Sequence, residues 1–146
     1  MSEKPDIDQS RYLSVLAQAD PKVVKDFVED TILKQVTAVT TRRNRVGSLM
    51  VPGRDTVTGI PFHLGEALIA EAEIEVDETV GYAACLGRDL EFAVAIAVVD
   101  AVVQAGRFRA EVEALVTQES ERLAERESTL LQKVEATKVD METFEW

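Results

Sequence analysis

The chain of 146 residues has one cysteine, one histidine, one tryptophan and few aromatic residues of any kind. A single cysteine, Cys85, excludes an intramolecular disulfide and suits a reducing cytoplasm. A single histidine, His63, without Cys or carboxylates at ligand spacing, argues against a metal site built by this chain alone. It also leaves no local Ser-His-Asp motif, and neither a Walker loop nor GxGxxG occurs. Positive charge is scarce too: 16 Lys and Arg stand against 27 Asp and Glu, a net charge of -11. Phosphate recognition needs clustered cations, so nucleic acid and anionic membrane surfaces are poor partners. The longest apolar run, around Phe92–Val99, is shorter than the about 20 residues that span a bilayer. The N-terminus MSEKPDIDQS lacks the apolar stretch of a signal peptide. The expectation is a soluble, cytoplasmic chain.

Glycine is missing from both ends; all seven glycines lie between Gly47 and Gly106. That pattern predicts helical ends around a turn-rich middle. Residues 8–19 place Tyr12, Leu13, Leu16 and Ala17 on one helical face. Asp20-Pro21 reads as an N-cap and first helical residue, with a helix to about Lys34 and Val24, Phe27, Val28 and Ile32 inward. In ALIAEAEIEV (67–76) apolar residues alternate with Glu71, Glu73 and Glu75, as in a strand with one buried and one wet face. VGYAACL (80–86) follows as its hairpin partner, although Asp77-Glu78-Thr79 lacks the usual Asn-Gly or Asp-Gly turn. VGSLMV (46–51) reads as an earlier strand, 52–61 as a loop, and Phe62–Leu64 as a possible strand extension. From Arg109 onward Val112, Val116, Leu123, Leu130 and Val134 form a thin stripe interrupted by Glu119 and Glu127, with a break near Thr117–Ser120 as an alternative to one long helix. The fold class is α+β: a small antiparallel sheet of three to four strands with helices packed on it. One domain spans 1–146, with 1–10 as a tail and 107–146 as a helical C-terminal extension.

What stands out is LEFAVAIAVVDAVVQ (90–104), where Asp89 is a natural N-cap. Between Phe92 and Ala105 only Asp100 and Gln104 are polar, and they share one strip with Ala93 and Ala97. Two broad faces must therefore leave water, and exposing residues such as Val94, Ile96, Val98 and Val102 forgoes about 1.5–3 kcal/mol each. One face covers the sheet; the other needs either the terminal helices or another protein.

Candidate chemistry is thin. Gly87-Arg88-Asp89 sits at a strand-to-helix corner and reads either as a turn and cap or, through Arg88, as a ligand or interface contact. Arg42, Arg43 and Arg45, with Arg54 nearby, could hold a polyphosphate or an acidic surface, or form a solvated loop balancing neighbouring acids. Cys85 reads as a small buried hydrophobe and the glutamate strip as a wet face.

The stretch GYAACLGRDLEFAVAIAVVDAVVQ (81–104) resembles the signature of the PhnG family, the smallest core subunit of bacterial carbon–phosphorus lyase. The matching residues are Gly81, Tyr82, Leu86, Gly87, Arg88, Asp89, Asp100, Ala101 and Gln104. RYLSVLAQAD (11–20), PFHLGEALIAEAEIEV (61–76) and EATKVDMETF (135–144) resemble other family segments. The chain departs from the family at Thr56-Val57-Thr58-Gly59, usually Gly-Gly-Thr-Gly, and at Met141 and Glu142, often aromatic. The resemblance implies a cytoplasmic, accessory subunit assembling with PhnI-, PhnH- and PhnJ-type partners. The complex would displace adenine from ATP with an alkylphosphonate, giving α-D-ribose 1-alkylphosphonate 5-triphosphate. ATP is then a substrate of the complex, with no cofactor bound by this chain and no catalytic residue carried over to it. Tyr82, Gly87, Arg88, Asp89, Asp100 and Gln104 become interface or triphosphate candidates, and Arg42, Arg43 and Arg45 anion candidates. The competing expectation is a stand-alone homo-oligomer using the apolar helix as its interface.

Overall fold

A computed structural model describes residues 8–137. Helices α1 (Gln9–Gln18) and α2 (Pro21–Phe27) open the described chain, and α2 runs on through a π-helical turn at Val28–Ile32. Asp8 and Asp20 cap them by accepting from Ser10 N–H and Lys22 N–H, which is why helix starts at Gln9 and Pro21. Helix thus begins inside the stretch 1–10 expected to be a tail. Strands β1 (Val39–Arg54), β2 (Pro61–Val76) and β3 (Thr79–Leu86) form one antiparallel sheet in the order β1-β2-β3. Helix α3 (Leu90–Gln104) crosses the sheet, and α4 (Arg109–Ala136) ends the described fold. Among the described residues no helix is long and apolar enough to cross a membrane.

The 67–86 hairpin is present, with Val76 opposite Thr79. Its two-residue turn has positive φ at both Asp77 (44°) and Glu78 (73°). Glycine is the usual choice there; here long-range bonds hold the turn instead. Asp77 accepts from Thr37 and Ala38 N–H and pairs with Arg107 at 2.8 Å.

The first strand corrects the sequence reading. It covers 39–54 rather than 46–51, so Arg42, Arg43 and Arg45 lie on a strand, not a loop. The expected 52–61 loop contracts to a turn between Arg54 and Pro61, tied by Asp55. The cause is cross-strand charge: Arg43 lies opposite Glu73 and Arg45 opposite Glu71, and opposite charges on facing strands favour pairing. An irregularity in register between Val51 and Pro52 accommodates a proline on an edge strand.

Helix α3 decides the alternative left open by the sequence in favour of cover by the terminal helices. Eleven of its residues are buried, Ile96, Val98 and Val102 among them. The sheet's Ala70, Ala72, Ile74 and Val76 cover one side; α1, α2 and α4 cover the rest. The chain shelters this helix itself, so it is not the exposed interface. The thin stripe on α4 is buried only at Val112 and Val116, while Leu130 and Val134 are exposed. No break occurs at Thr117–Ser120; the helix runs straight through, with Glu119 tucked inward and Arg122 3.5 Å away. At 28 residues α4 is about 42 Å long, and its second half projects beyond its packing.

Candidate functional site

The sequence-marked residues fall into three groups. The first lies where α1, β3 and α3 meet. Gly81 is buried so closely under α3 that a Cβ there would sit 2.1 Å from the Ala97 carbonyl oxygen and 2.4 Å from the Ala101 nitrogen. That approach delivers the buried Asp100 carboxylate to the edge of the sheet. Asp100 Oδ2 accepts the Tyr82 backbone N–H at 2.9 Å. Its Oδ1 accepts the Tyr12 hydroxyl and, at 3.1 Å, Gln9 Nε2. Gln104 makes a long 3.4 Å contact to the same hydroxyl. Burial, then donation to Asp100, holds the Tyr12 phenol far above its ordinary pKa. Thus Gly81, Tyr82, Asp100 and Gln104 form a clamp between elements. Sequence reading placed Tyr12 on the apolar face of α1 and missed its hydroxyl as the partner of Asp100; a tyrosine on a buried face, with one buried acid elsewhere, was the available signal.

The second group is the corner after β3. Gly87 has φ +105°, a conformation that side-chain-bearing residues rarely adopt. Asp89 accepts Phe92 N–H at 3.0 Å as the cap of α3 and pairs with Lys25 Nζ at 2.9 Å. The Lys25 ammonium, then the cap bond, pull the Asp89 carboxyl below its ordinary range. Arg88 is exposed, and no hydrogen bond engages it among the described residues. Asp89→Ala should destabilise the protein by about 1 kcal/mol, most of it the lost cap, since an exposed ion pair adds little. The depressed carboxyl also fixes a pH signature. The unfolded chain holds that proton more tightly, so the Asp89 contribution is complete above about pH 4 and is lost as pH falls through the lower folded value. Thermal melts from pH 6 to pH 2 should show the wild-type advantage over Asp89→Ala vanishing on the acid side.

The third group is the outer face of the sheet. Arg42 Nε reaches Glu75 Oε2 at 3.1 Å, Arg45 pairs with Glu71, and the Tyr82 hydroxyl donates to Glu71 Oε2 at 2.7 Å. Those bonds, the tyrosine's first, hold the Glu71 carboxyl below its usual range. The irregular register between Thr41 and Arg43 brings Arg42 onto this face beside Arg43 and Arg45. Arg42 and Arg45 therefore pair with glutamates from a strand, and Arg43 lies opposite Glu73 without an ion pair among the described residues. Arg54 and His63 lie farther out on β1 and β2, and both are exposed. Cys85 is buried, its thiol pushed up by burial, so it is poorly suited to be a nucleophile. Among the described residues no group of three or more His, Cys, Asp or Glu side chains is placed to hold a metal ion.

Polar groups used to bond one element to the next, around a sheet under a buried helix, define an α+β protein whose marked residues build architecture. Residues 8–145 match the family described as phosphonate metabolism protein PhnG, and the chain belongs to that family. A curated relative is the α-D-ribose 1-methylphosphonate 5-triphosphate synthase subunit PhnG of Rhizobium meliloti (strain 1021). It is 36% identical over 104 residues, which cover 70% of this chain and 67% of that protein.

Proposed function

We propose that this chain is an accessory, non-catalytic subunit of the complex that forms α-D-ribose 1-methylphosphonate 5-triphosphate from ATP and methylphosphonate, with release of adenine. The observation that carries this reading is the match to a synthase subunit by a chain whose family-signature residues are largely spent on internal bonds. The complex supplies the activity, ATP is its substrate, and this chain contributes shape. PhnI-, PhnH- and PhnJ-type subunits are its partners, and no cofactor resides on this chain.

Among the described residues the Arg88 side chain has no bonded partner and is available to such a neighbour, and so is Arg43 of the arginine group. The experiment is co-expression with the companion subunits from the same organism, followed by affinity purification and an assay of adenine release. Wild type should co-purify, and the complex should be active where the isolated chain is inert. Arg88→Ala should weaken assembly while leaving turnover per assembled complex unchanged. Full assembly with lost turnover would make Arg88 a contact at a shared triphosphate site instead. A wild-type chain that ignores its companions defeats the accessory reading.

A further inference from the structure

The β1–β2 ribbon outruns the rest of the sheet. Strand β3 pairs with β2 only from Ile69 to Val76; Val46 and Gly47 face the last paired residues, Ala70 and Ile69, and residues 48–68 continue as two strands alone. Isolated two-stranded ribbons are marginal in water. Helix α3 covers the inner face at Ala70, Ala72, Ile74 and Val76, but the same face runs on uncovered. Register places Val46, Met50 and Leu68 on that continuation, and Phe62 and Leu64 lie on it beside Gly53. Met50 is 53% exposed and Leu64 66%. Leu49 and Leu86 stand in water on the opposite face.

On the inner continuation alone Val46, Met50, Phe62, Leu64 and Leu68 are 36–66% exposed, a contiguous apolar surface of the kind that on an ordinary monomer marks a functional patch. The open edge of β1 adds unpaired backbone groups to this apolar surface, a combination that native chains normally cover.

Charge selects the occupant. Segment 46–68 contains one basic residue, Arg54, and two acids, Asp55 and Glu66, so its net charge is 1 - 2 = -1, and the remaining residues carry -10 of the chain's -11. A second copy would bring a like-charged body against this one, whereas a partner with surplus Lys and Arg around an apolar groove is attracted. We infer that the 46–68 ribbon is the arm by which this chain docks into an apolar, basic-rimmed groove of a different subunit of the synthase. This rests on the accessory-subunit reading above.

The test uses Met50→Asp/Leu64→Asp, co-expressed with the companion subunits, and hydrogen exchange of the wild-type chain alone and in the complex. The expected result is a complex weakened about 100-fold by the double variant, as for loss of a buried apolar anchor. The isolated variant should keep the wild-type circular dichroism and Tm. In the wild-type complex, amides of 46–68 should gain protection absent from the free chain, a readout that survives even if the variant misfolds. Undiminished assembly of the variant, with arm amides exchanging as in the free chain, overturns the arm and leaves the accessory reading standing. Failure of wild type to assemble defeats that reading first. A homodimer in light scattering that the variant reduces to monomer makes a second copy the occupant. Arm amides that in a free monomer are protected beyond what the β1–β2 ladder gives, with no further gain in the complex, make it a segment of this chain. Either result overturns the heterologous groove.

Discussion

Gly81→Ala should lower stability by about 3 kcal/mol or more, the upper end of overpacking costs, although it adds a single methyl group. Two effects compete. Gly81 does not have a positive φ, so alanine fits the strand backbone, and a less flexible unfolded chain would favour it by about 0.4–1 kcal/mol. Against that, the new Cβ lies 2.1 Å from the Ala97 carbonyl oxygen, 2.4 Å from the Ala101 nitrogen and 2.9 Å from its Cα. All three are backbone atoms of α3, so no side-chain rotation relieves them. The helix must lift off β3, and it is the most buried element of the fold. Steric cost therefore wins. A loss of about 3 kcal/mol corresponds to a Tm decrease of about 10 °C for a domain of this size. Adding Ala101→Gly should not restore the melting temperature, because the obstructing atoms belong to the main chain. A Gly81→Ala protein that melts within a degree or two of wild type would show that α3 does not lie this close to β3.

The same contact shows what the sequence made legible. The alternation of Glu71, Glu73 and Glu75 with apolar residues was enough to place β2 and its inner face, since strand periodicity is local. Asp20-Pro21 and Asp89 marked helix starts because capping is also local. β1 was read too short, because Arg42, Arg43 and Arg45 have no strand signature of their own; their extended conformation is stabilised by glutamates about 30 residues later. The 77–78 turn was hard to read for a similar reason. Glu78 is a poor residue for positive φ, and the turn is held by Arg107 and by the backbone of Thr37 and Ala38.

Helix α3 takes the internal one of the two kinds of cover its sequence allows. Its two-sided hydrophobicity correctly required two layers of cover, but composition cannot say that α1, α2 and α4 return to supply the second. Meanwhile 46–68 looked like a strand, a glycine loop and a fragment, each too short to alarm. Only pairing in register reveals one ribbon with its inner face in water. The apolar surplus is on the arm rather than the helix. Likewise the signature residues were legible as special but not as a clamp, because Tyr12 and Asp100 are 88 positions apart in sequence.

Asp100→Ala should destabilise the protein by about 4 kcal/mol, more than any substitution on the charged outer face. Asp100 is 2% exposed and accepts from three donors on two elements: Tyr12 Oη on α1, the Tyr82 main chain on β3, and Gln9 Nε2 on α1. Removing it leaves at least the first two without an acceptor, each buried donor costing about 1–3 kcal/mol. Trimming the partner reveals the network. Tyr12→Phe alone should cost about 1.5–3 kcal/mol, the value of a bond to a charged acceptor. In the Asp100→Ala background the same change should cost much less, because the hydroxyl it removes is already stranded, giving a coupling of about 1–2 kcal/mol. Full rescue is not expected, since Tyr82 N–H belongs to the backbone and no substitution deletes it. Asp100→Asn should fall between, as it keeps one acceptor oxygen but can turn an amide donor toward the Tyr82 N–H. Alkaline titration offers an independent check. The folded state holds the Tyr12 phenol protonated, so its contribution is complete below about pH 10 and is lost as pH rises toward the higher folded value. Wild type should lose stability there, and Tyr12→Phe should lose less. Strictly additive single and double variants, with an alkaline limb that ignores Tyr12, would mean that Asp100 and Tyr12 act separately and that no clamp joins α1 to α3.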